Sequence, residues 1–180
     1  VVLESGKIKL EANLEEVVRF YLSNTKSIAD EFLRLSPSSD KPQFQFLKLL
    51  SNKCNYGEYI EVEVEIVSPF DDKVAIEIEI HDERGIPIIY CSTAPMGNLL
   101  LPIKSQEKNS FHLKIGSLNL AIGDYYIYFW LHIPFGKPYH IVRQPLKFTV
   151  ELSDPNGSGF NFSQSNARGV TTVPFEVQPQ

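Results

Sequence analysis

From Ile60 to Ile66 the chain alternates strictly: Ile60, Val62, Val64 and Ile66 on one parity, Glu61, Glu63 and Glu65 on the other. Val74, Ile76, Ile78 and Ile80 then alternate with Ala75, Glu77, Glu79 and His81. A period of two over seven residues places every apolar side chain on one face of a strand, and no helix accommodates it. Ser68-Pro69-Phe70-Asp71-Asp72 turns between these runs, and Glu83-Arg84-Gly85 turns the chain again into Ile86 to Cys91. Further strands are expected at Phe44 to Leu49, at Phe111, Leu113 and Ile115, at 124–133, and at Leu146, Phe148, Val150 and Leu152. Short alternating strands with close turn signals indicate an all-β chain, an immunoglobulin-like antiparallel sandwich.

The amino-terminal part reads differently. Val1 to Leu3 and Lys7 to Leu10 flank Ser5-Gly6 as a small strand pair. Asn13-Leu14-Glu15-Glu16 has the form of a capping box, and Leu14, Val17, Val18 and Tyr21 recur at helical spacing. A second helical segment is expected over Ile28 to Leu35, with Ile28, Phe32 and Leu35 on one side. Ser36 to Pro42 is polar and bounded by prolines, as a linker is. The expected organisation is therefore a short helical amino-terminal segment over 1–35, a linker at 36–43, a sandwich over 44–152, and a loop with a terminal strand over 153–180. That last strand is expected at Val170 to Val177. On a long tether it can pair with its own domain or with a neighbour's.

Composition narrows the function. The net charge of −5 argues against a sequence-independent grip on nucleic acid, which needs clustered Lys and Arg. No apolar run approaches the ~20 residues that span a bilayer, and Val1 onward is not expected to be a signal peptide. A chain opening on Val1 is expected to be part of something longer. Cys54 and Cys91 match no metal-ligand spacing and are expected to be reduced thiols, with a single disulfide left open. No phosphate loop and no Gly-x-Ser-x-Gly nucleophile elbow is present. His81, His112, His132 and His140 are scattered, so no metal, cofactor or catalytic residue is assigned. The rows Glu61 to Glu65 and Glu77 to Glu79 would allow the two-carboxylate spacing of a glycosidase, but equally the solvated face of a sheet.

The segment Asp124-Tyr125-Tyr126-Ile127-Tyr128-Phe129-Trp130-Leu131-His132-Ile133 has two aromatic faces. Tyr125, Ile127, Phe129, Leu131 and Ile133 make an ordinary core face. Tyr126, Tyr128, Trp130 and His132, on the other, each carry a polar group. With the third, sixth and seventh strands side by side, Glu77, Glu79 and His81 would flank this row on one side and Arg143, Lys147 and Thr149 on the other. Flat rings among donors and acceptors suit sugars, whose C–H faces pack on aromatic rings while their hydroxyls hydrogen-bond. The candidate binding residues are Tyr126, Tyr128, Trp130, His132, Glu77, Glu79, His81 and Arg143. The competing reading is that the row is covered by the amino-terminal segment or a second subunit, as apolar patches often are.

Two stretches resemble a known family. Val2-Leu3-Glu4-Ser5-Gly6-Lys7-Ile8, with Leu14-Glu15-Glu16-Val17-Val18 and Tyr21-Leu22, resembles the carboxyl end of an ABC-transporter ATPase domain, with Ala12 where that family commonly has Gly. Ile80-His81-Asp82-Glu83-Arg84-Gly85-Ile86-Pro87-Ile88-Ile89 with Ser92-Thr93, and Leu118-Asn119-Leu120-Ala121-Ile122-Gly123-Asp124-Tyr125, resemble the carboxyl-terminal domain of Wzt-type ATP-binding subunits of O-antigen exporters. The resemblance implies a non-catalytic domain that binds a lipid-linked polysaccharide, often at its non-reducing end. It also implies a homodimer with an exchanged last strand, a transmembrane transporter partner reached through the full-length protein, and a place at the cytoplasmic face of the inner membrane. ATP hydrolysis would belong to a part outside this chain. The alternative is a dimerisation or assembly module of the exporter ATPase that binds no glycan.

Overall fold

The computed structural model describes residues 2–4, 7–10, 31–33, 40–133 and 136–173. Twelve strands run in chain order: β1 (Val2–Glu4), β2 (Lys7–Leu10), β3 (Glu31–Leu33), β4 (Gln43–Leu49), β5 (Lys53–Asn55), β6 (Ile60–Val67), β7 (Asp72–His81), β8 (Pro87–Ser92), β9 (Leu101–Ile103), β10 (Asn109–Ile115), β11 (Gly123–His132) and β12 (Pro138–Leu152). β1 and β2 form the expected antiparallel pair. The expected helix from Leu14 to Tyr21 lies outside the described residues.

The helix expected over Ile28 to Leu35 is overturned where the chain is described. Glu31–Leu33 is a strand, antiparallel to β4, with Phe32 opposite Leu47. One inward residue in three fits either period, and the open edge of β4 supplies partners for a strand. Phe32 packs on the core, its ring centroid 6.0 Å from that of His140. Tertiary pairing therefore overrides a weak helical pattern.

The remaining strands form two facing sheets. One has the order β10-β6-β4-β3. The other runs β5-β12-β11-β7-β8, with β9 paired to β7. All pairs are antiparallel except β5 with β12. The expected neighbours are in place, since β11 lies between β7 and β12. The alternating residues close the core: Ile60, Val62, Val64 and Ile66 of β6 meet Ile76, Ile78 and Ile80 of β7 and Tyr125, Ile127, Phe129 and Leu131 of β11 in one buried cluster.

Two local devices fix β7 and β11. The hydroxyl of buried Tyr125 donates to the Ala121 carbonyl (2.7 Å), four residues upstream. This is the tyrosine-corner bond of immunoglobulin-like sandwiches, and it sets where β11 begins. At the other turn Asp82, fully buried, accepts from the amides of Arg84 (3.0 Å) and Ile86 (2.8 Å) and from the Arg84 guanidinium (2.9 Å). Gly85 completes this turn at φ +82°, a conformation costly for residues with a Cβ. These bonds give physical content to the Asp-x-x-Gly and Gly-x-Tyr stretches of the sequence.

β3, β5 and β9, three residues each, were not expected as strands. In the expected terminal strand, Thr171 makes one antiparallel bridge to Leu120, and the Ala121 amide donates to the Val170 carbonyl (2.9 Å). Residues 174–177 lie outside the described residues. Cys54 and Cys91 are free thiols. Burial, with Glu58 adding to it, pushes the Cys54 thiol up to about 11.

Candidate functional site

Register decides what each aromatic meets. Across β11 and β7, Tyr126 stands opposite His81, Tyr128 opposite Glu79 and Trp130 opposite Glu77. Across β11 and β12, Tyr126 faces Lys147 and Trp130 faces Ile141. The inner members of β11, Tyr125, Ile127, Phe129 and Leu131, have no exposed surface. The outer row is graded. Tyr126 and His132 are buried, at 5% and 7% exposure, while Tyr128 and Trp130 are half-buried. The row is thus neither open surface nor sealed. Burial raises the pKa of the phenols of Tyr126 and Tyr128.

The rings form a continuous course. His81 lies against Tyr128 with centroids 4.5 Å apart, and Tyr128 lies 6.3 Å from Trp130. His81 Nε2 is 2.8 Å from Glu79 Oε2, and its Nδ1 is 3.2 Å from the Gly85 carbonyl. His81 and Glu79 thus bind each other at the β7 turn.

A different arrangement occurs at the other end of the row. Glu77, Pro95, Trp130, His132, Gly136 and Pro138 line a depression of about 260 Å³. The Tyr90 hydroxyl donates to Glu77 Oε1 (2.7 Å), and this bond raises the pKa of Tyr90. His132 Nδ1 is 2.9 Å from the Ile133 carbonyl. A carbonyl only accepts, so Nδ1 carries a proton. Nε2 lies 3.1 Å from Glu77 Oε1, close enough for an ion pair. Its direction makes no hydrogen bond, and this buried nitrogen has no other partner among the described residues. Direction outweighs distance here, because a hydrogen bond weakens steeply off-line. Buried polar atoms are nearly always paired, so this nitrogen at the edge of the depression stands out.

The structure therefore brings Glu77, Trp130 and His132 to one depression and Glu79, His81 and Tyr128 beside it. Tyr126 is on the same face but covered. Arg143 is exposed on β12, where the β11–β12 register shifts, and its guanidinium makes no ion pair among the described residues. Tyr90 and Pro95 were missed. Alternation through Ile88-Ile89-Tyr90 would place Tyr90 outward, but only the β7–β8 register, which sets it opposite Glu79, reveals its neighbours. In sequence, the loop Phe135-Gly136-Lys137-Pro138-Tyr139-His140 is expected to border one end of the row, and Gly136 and Pro138 do so. Phe135 lies outside the described residues. Tyr139 and His140 turn elsewhere: Tyr139 donates to Asp72 Oδ2 (2.7 Å), and His140 Nδ1 accepts from the Phe44 amide (3.1 Å).

The Glu61 to Glu65 row is a solvated face. His112 Nε2 lies 3.0 Å and Lys114 Nζ 3.9 Å from Glu61, and Lys108 pairs with Glu65. Among the described residues no three His, Cys, Asp or Glu side chains converge as metal ligands.

In sequence, no family model and no curated protein matches the chain. In fold it is similar to the crystal structure of the C-terminal domain of Wzt, at 13% identity over 83% of this chain and 87% of that one, with a TM-score of 0.59. Looser likenesses are a Niemann-Pick type C2 protein from the Japanese carpenter ant (11% identity, 66% and 100% covered, TM-score 0.45) and Pseudomonas fluorescens alkylpurine DNA glycosylase AlkC (10%, 63% and 31%, 0.45). The chain has a Wzt-like fold.

Proposed function

We propose that this chain binds a bacterial surface polysaccharide, at or near its non-reducing end, without cleaving it, and so selects it for an ABC exporter. The observation that carries this reading is the depression in which buried His132 and the Glu77 carboxylate adjoin the half-buried face of Trp130. The Glu77 carboxylate accepts, and a sugar hydroxyl donates to it while the pyranose C–H face lies on the indole. Tyr128, held by His81 and Glu79, extends the platform. Arg143 supplies a donor at the rim, and Tyr126 braces the row from beneath. The Wzt-like fold supports the same reading. On it, the ligand is lipid-linked, the chain works as a homodimer, and its full-length form meets the transmembrane subunit at the cytoplasmic face of the inner membrane.

Trp130 is the sole tryptophan, so its fluorescence reports on the site directly. Adding the producing bacterium's own polysaccharide is expected to shift its emission, and Trp130→Ala is expected to abolish binding while the chain stays folded. Undiminished binding by that variant would reject the assignment.

A second reading is favoured by one observation. Ile141, opposite Trp130, and Tyr90 are both exposed, at 43% and 46%, which lengthens the apolar part of this face. On that reading the row is an assembly contact of the exporter ATPase. Trp130 emission would then follow protein concentration and ignore polysaccharide.

A further inference from the structure

A second cavity lies at the opposite end of β11, roughly 25 Å along the strand from Trp130. Its walls are three segments: the turn after β5, the stretch 116–122 before β11, and the loop after β12. Backbone bonds tie them together. Gly57 N donates to the Leu118 carbonyl (2.8 Å), Tyr56 N to Leu152 (2.8 Å), Phe162 N to Ser153 (2.8 Å) and Ile122 N to Phe162 (2.8 Å). The Tyr56 hydroxyl is 2.8 Å from Thr172 Oγ1. The Asp154 carboxylate folds the loop by accepting from the amides of Gly159 (2.8 Å) and Ser158 (2.9 Å), and these bonds lower its pKa. The space enclosed is about 620 Å³, within the size range of ligand sites.

The lining chemistry is specific. Tyr56, Phe160 and Phe162 supply rings, Asn119 and Asn156 amides, and Thr172 a hydroxyl; no lining residue is charged. Among the described residues neither Asn side chain has a hydrogen-bond partner. Phe160 keeps 52% of its surface exposed. An ionised ligand entering here would lose water without meeting a counter-charge, which is costly. An amide both donates and accepts, as a sugar hydroxyl does, whereas a carboxylate only accepts. A peptide adding itself as a strand would need free main-chain groups, and those bordering the cavity are largely taken by the bonds above.

We propose that this cavity is a second saccharide site, separate from the depression at Trp130, and that it takes an electrically neutral sugar unit. The inference rests on the cavity's own walls and stands whether or not the Trp130 face binds glycan. Its consequence for a polymer is bivalency: one chain engaging both ends of β11 is held more tightly than by either alone.

The test is a titration of the ¹⁵N-labelled 180-residue chain, followed by NMR, with neutral trisaccharides of mannose, glucose, galactose and rhamnose. Trigalacturonate, charged on every unit, is the counterpart. At least one neutral sugar is expected to shift the side-chain amide signals of Asn119 and Asn156, with trigalacturonate at least tenfold weaker. Phe160→Ala and Asn119→Ala should each weaken that binding at least tenfold, and Trp130→Ala should change it less than twofold. Both altered cavity residues leave the core untouched, and an unchanged amide spectrum elsewhere verifies the fold. Silence from all four neutral sugars, equal binding of the charged one, or full binding by Phe160→Ala overturns the proposal. Loss of the Trp130 fluorescence response with these shifts intact would reject only the first site.

Discussion

The outer faces of the two sheets are written in the same alternating code and end in opposite chemical states. On the four-stranded sheet, Glu61 and Glu65 of β6 find basic partners on the adjoining strand and loop, His112, Lys114 and Lys108. On the longer sheet, β11 presents rings, and polar atoms are left over: Nε2 of His132 is buried without a hydrogen bond. The first face satisfies its charges internally. The second keeps a buried nitrogen without a hydrogen bond. A row of charges on a strand is therefore weak evidence of a site, and a half-buried ring beside a depression is a better guide.

The sharpest way to break this comparison is across the thickness of β11. Phe129, next to Trp130 in sequence, is wholly buried and lies edge-on to Phe44 at 6.2 Å. Phe129→Ala is expected to cost about 3–5 kcal/mol, read as a fall in the urea midpoint. Trp130→Ala should cost clearly less stability and remove binding. If the outer substitution destabilises as much as the inner one, the row is core and the platform reading fails.

The turn at Asp82 tests what holds the row in register. Its carboxylate organises the β7–β8 turn that sets His81 against Tyr128. Asp82→Ala leaves the Ile86 and Arg84 amides without their acceptor and is expected to cost about 1–3 kcal/mol. Because His81 is tied to Gly85 in that turn, the variant should also weaken glycan binding. Binding that survives unchanged would remove the His81–Tyr128 pair from the site.

Much of this was legible in the sequence, and the gaps have physical causes. Parity alone separates Tyr125, Ile127, Phe129 and Leu131 from Tyr126, Tyr128, Trp130 and His132, because the strand period is a local property. The flanking of β11 by β7 and β12 follows from the immunoglobulin-like arrangement. What the chain could not reveal depends on non-local packing. Tyr126 and His132 share a parity with Trp130 but are covered, so the row exposes two rings and an imidazole edge rather than four open side chains. Tyr90 reaches Glu77 only through the hairpin register. β3, β5 and β9 are three residues long, too short for a period to declare itself, and exist because neighbouring strands offer pairing. Asn119, Asn156 and Phe160 gave no signal, since three loops distant in sequence had to be brought together before their amides and ring shared a cavity.

Glu77 offers a finer test at the depression. The bond from Tyr90 holds that phenol above its usual range, chiefly through the carboxylate that accepts it. Glu77→Gln keeps an acceptor but deletes the charge. The Tyr90 pKa should fall toward the ordinary phenol value of about 10, read from its ring-carbon shift during an alkaline titration. The sign follows from linkage. A phenol that holds its proton more tightly when folded stabilises fully below the unfolded value, and that contribution disappears as pH rises through the folded one. In the wild type, sugar binding should accordingly weaken in the same alkaline range, as Tyr90 ionises beside Glu77, and Glu77→Gln should move that loss to lower pH.

The smallest effect belongs to the opposite sheet and completes the contrast. Glu61 is about two-fifths exposed and contacts His112 and Lys114, both of them more exposed still. Exposed pairs of this kind are worth roughly 0.2–1 kcal/mol, screened by salt. Glu61→Gln is expected to change stability by less than about 0.5 kcal/mol, with the difference vanishing near 1 M salt, where the screening length is about 3 Å. Glycan binding should not change at all, since Glu61 lies on the sheet facing away from β11's outer row. A measurable loss of binding on Glu61→Gln would mean that the ligand wraps onto the charged face, and that self-satisfied charge is a poor guide to where this fold leaves its surface unused.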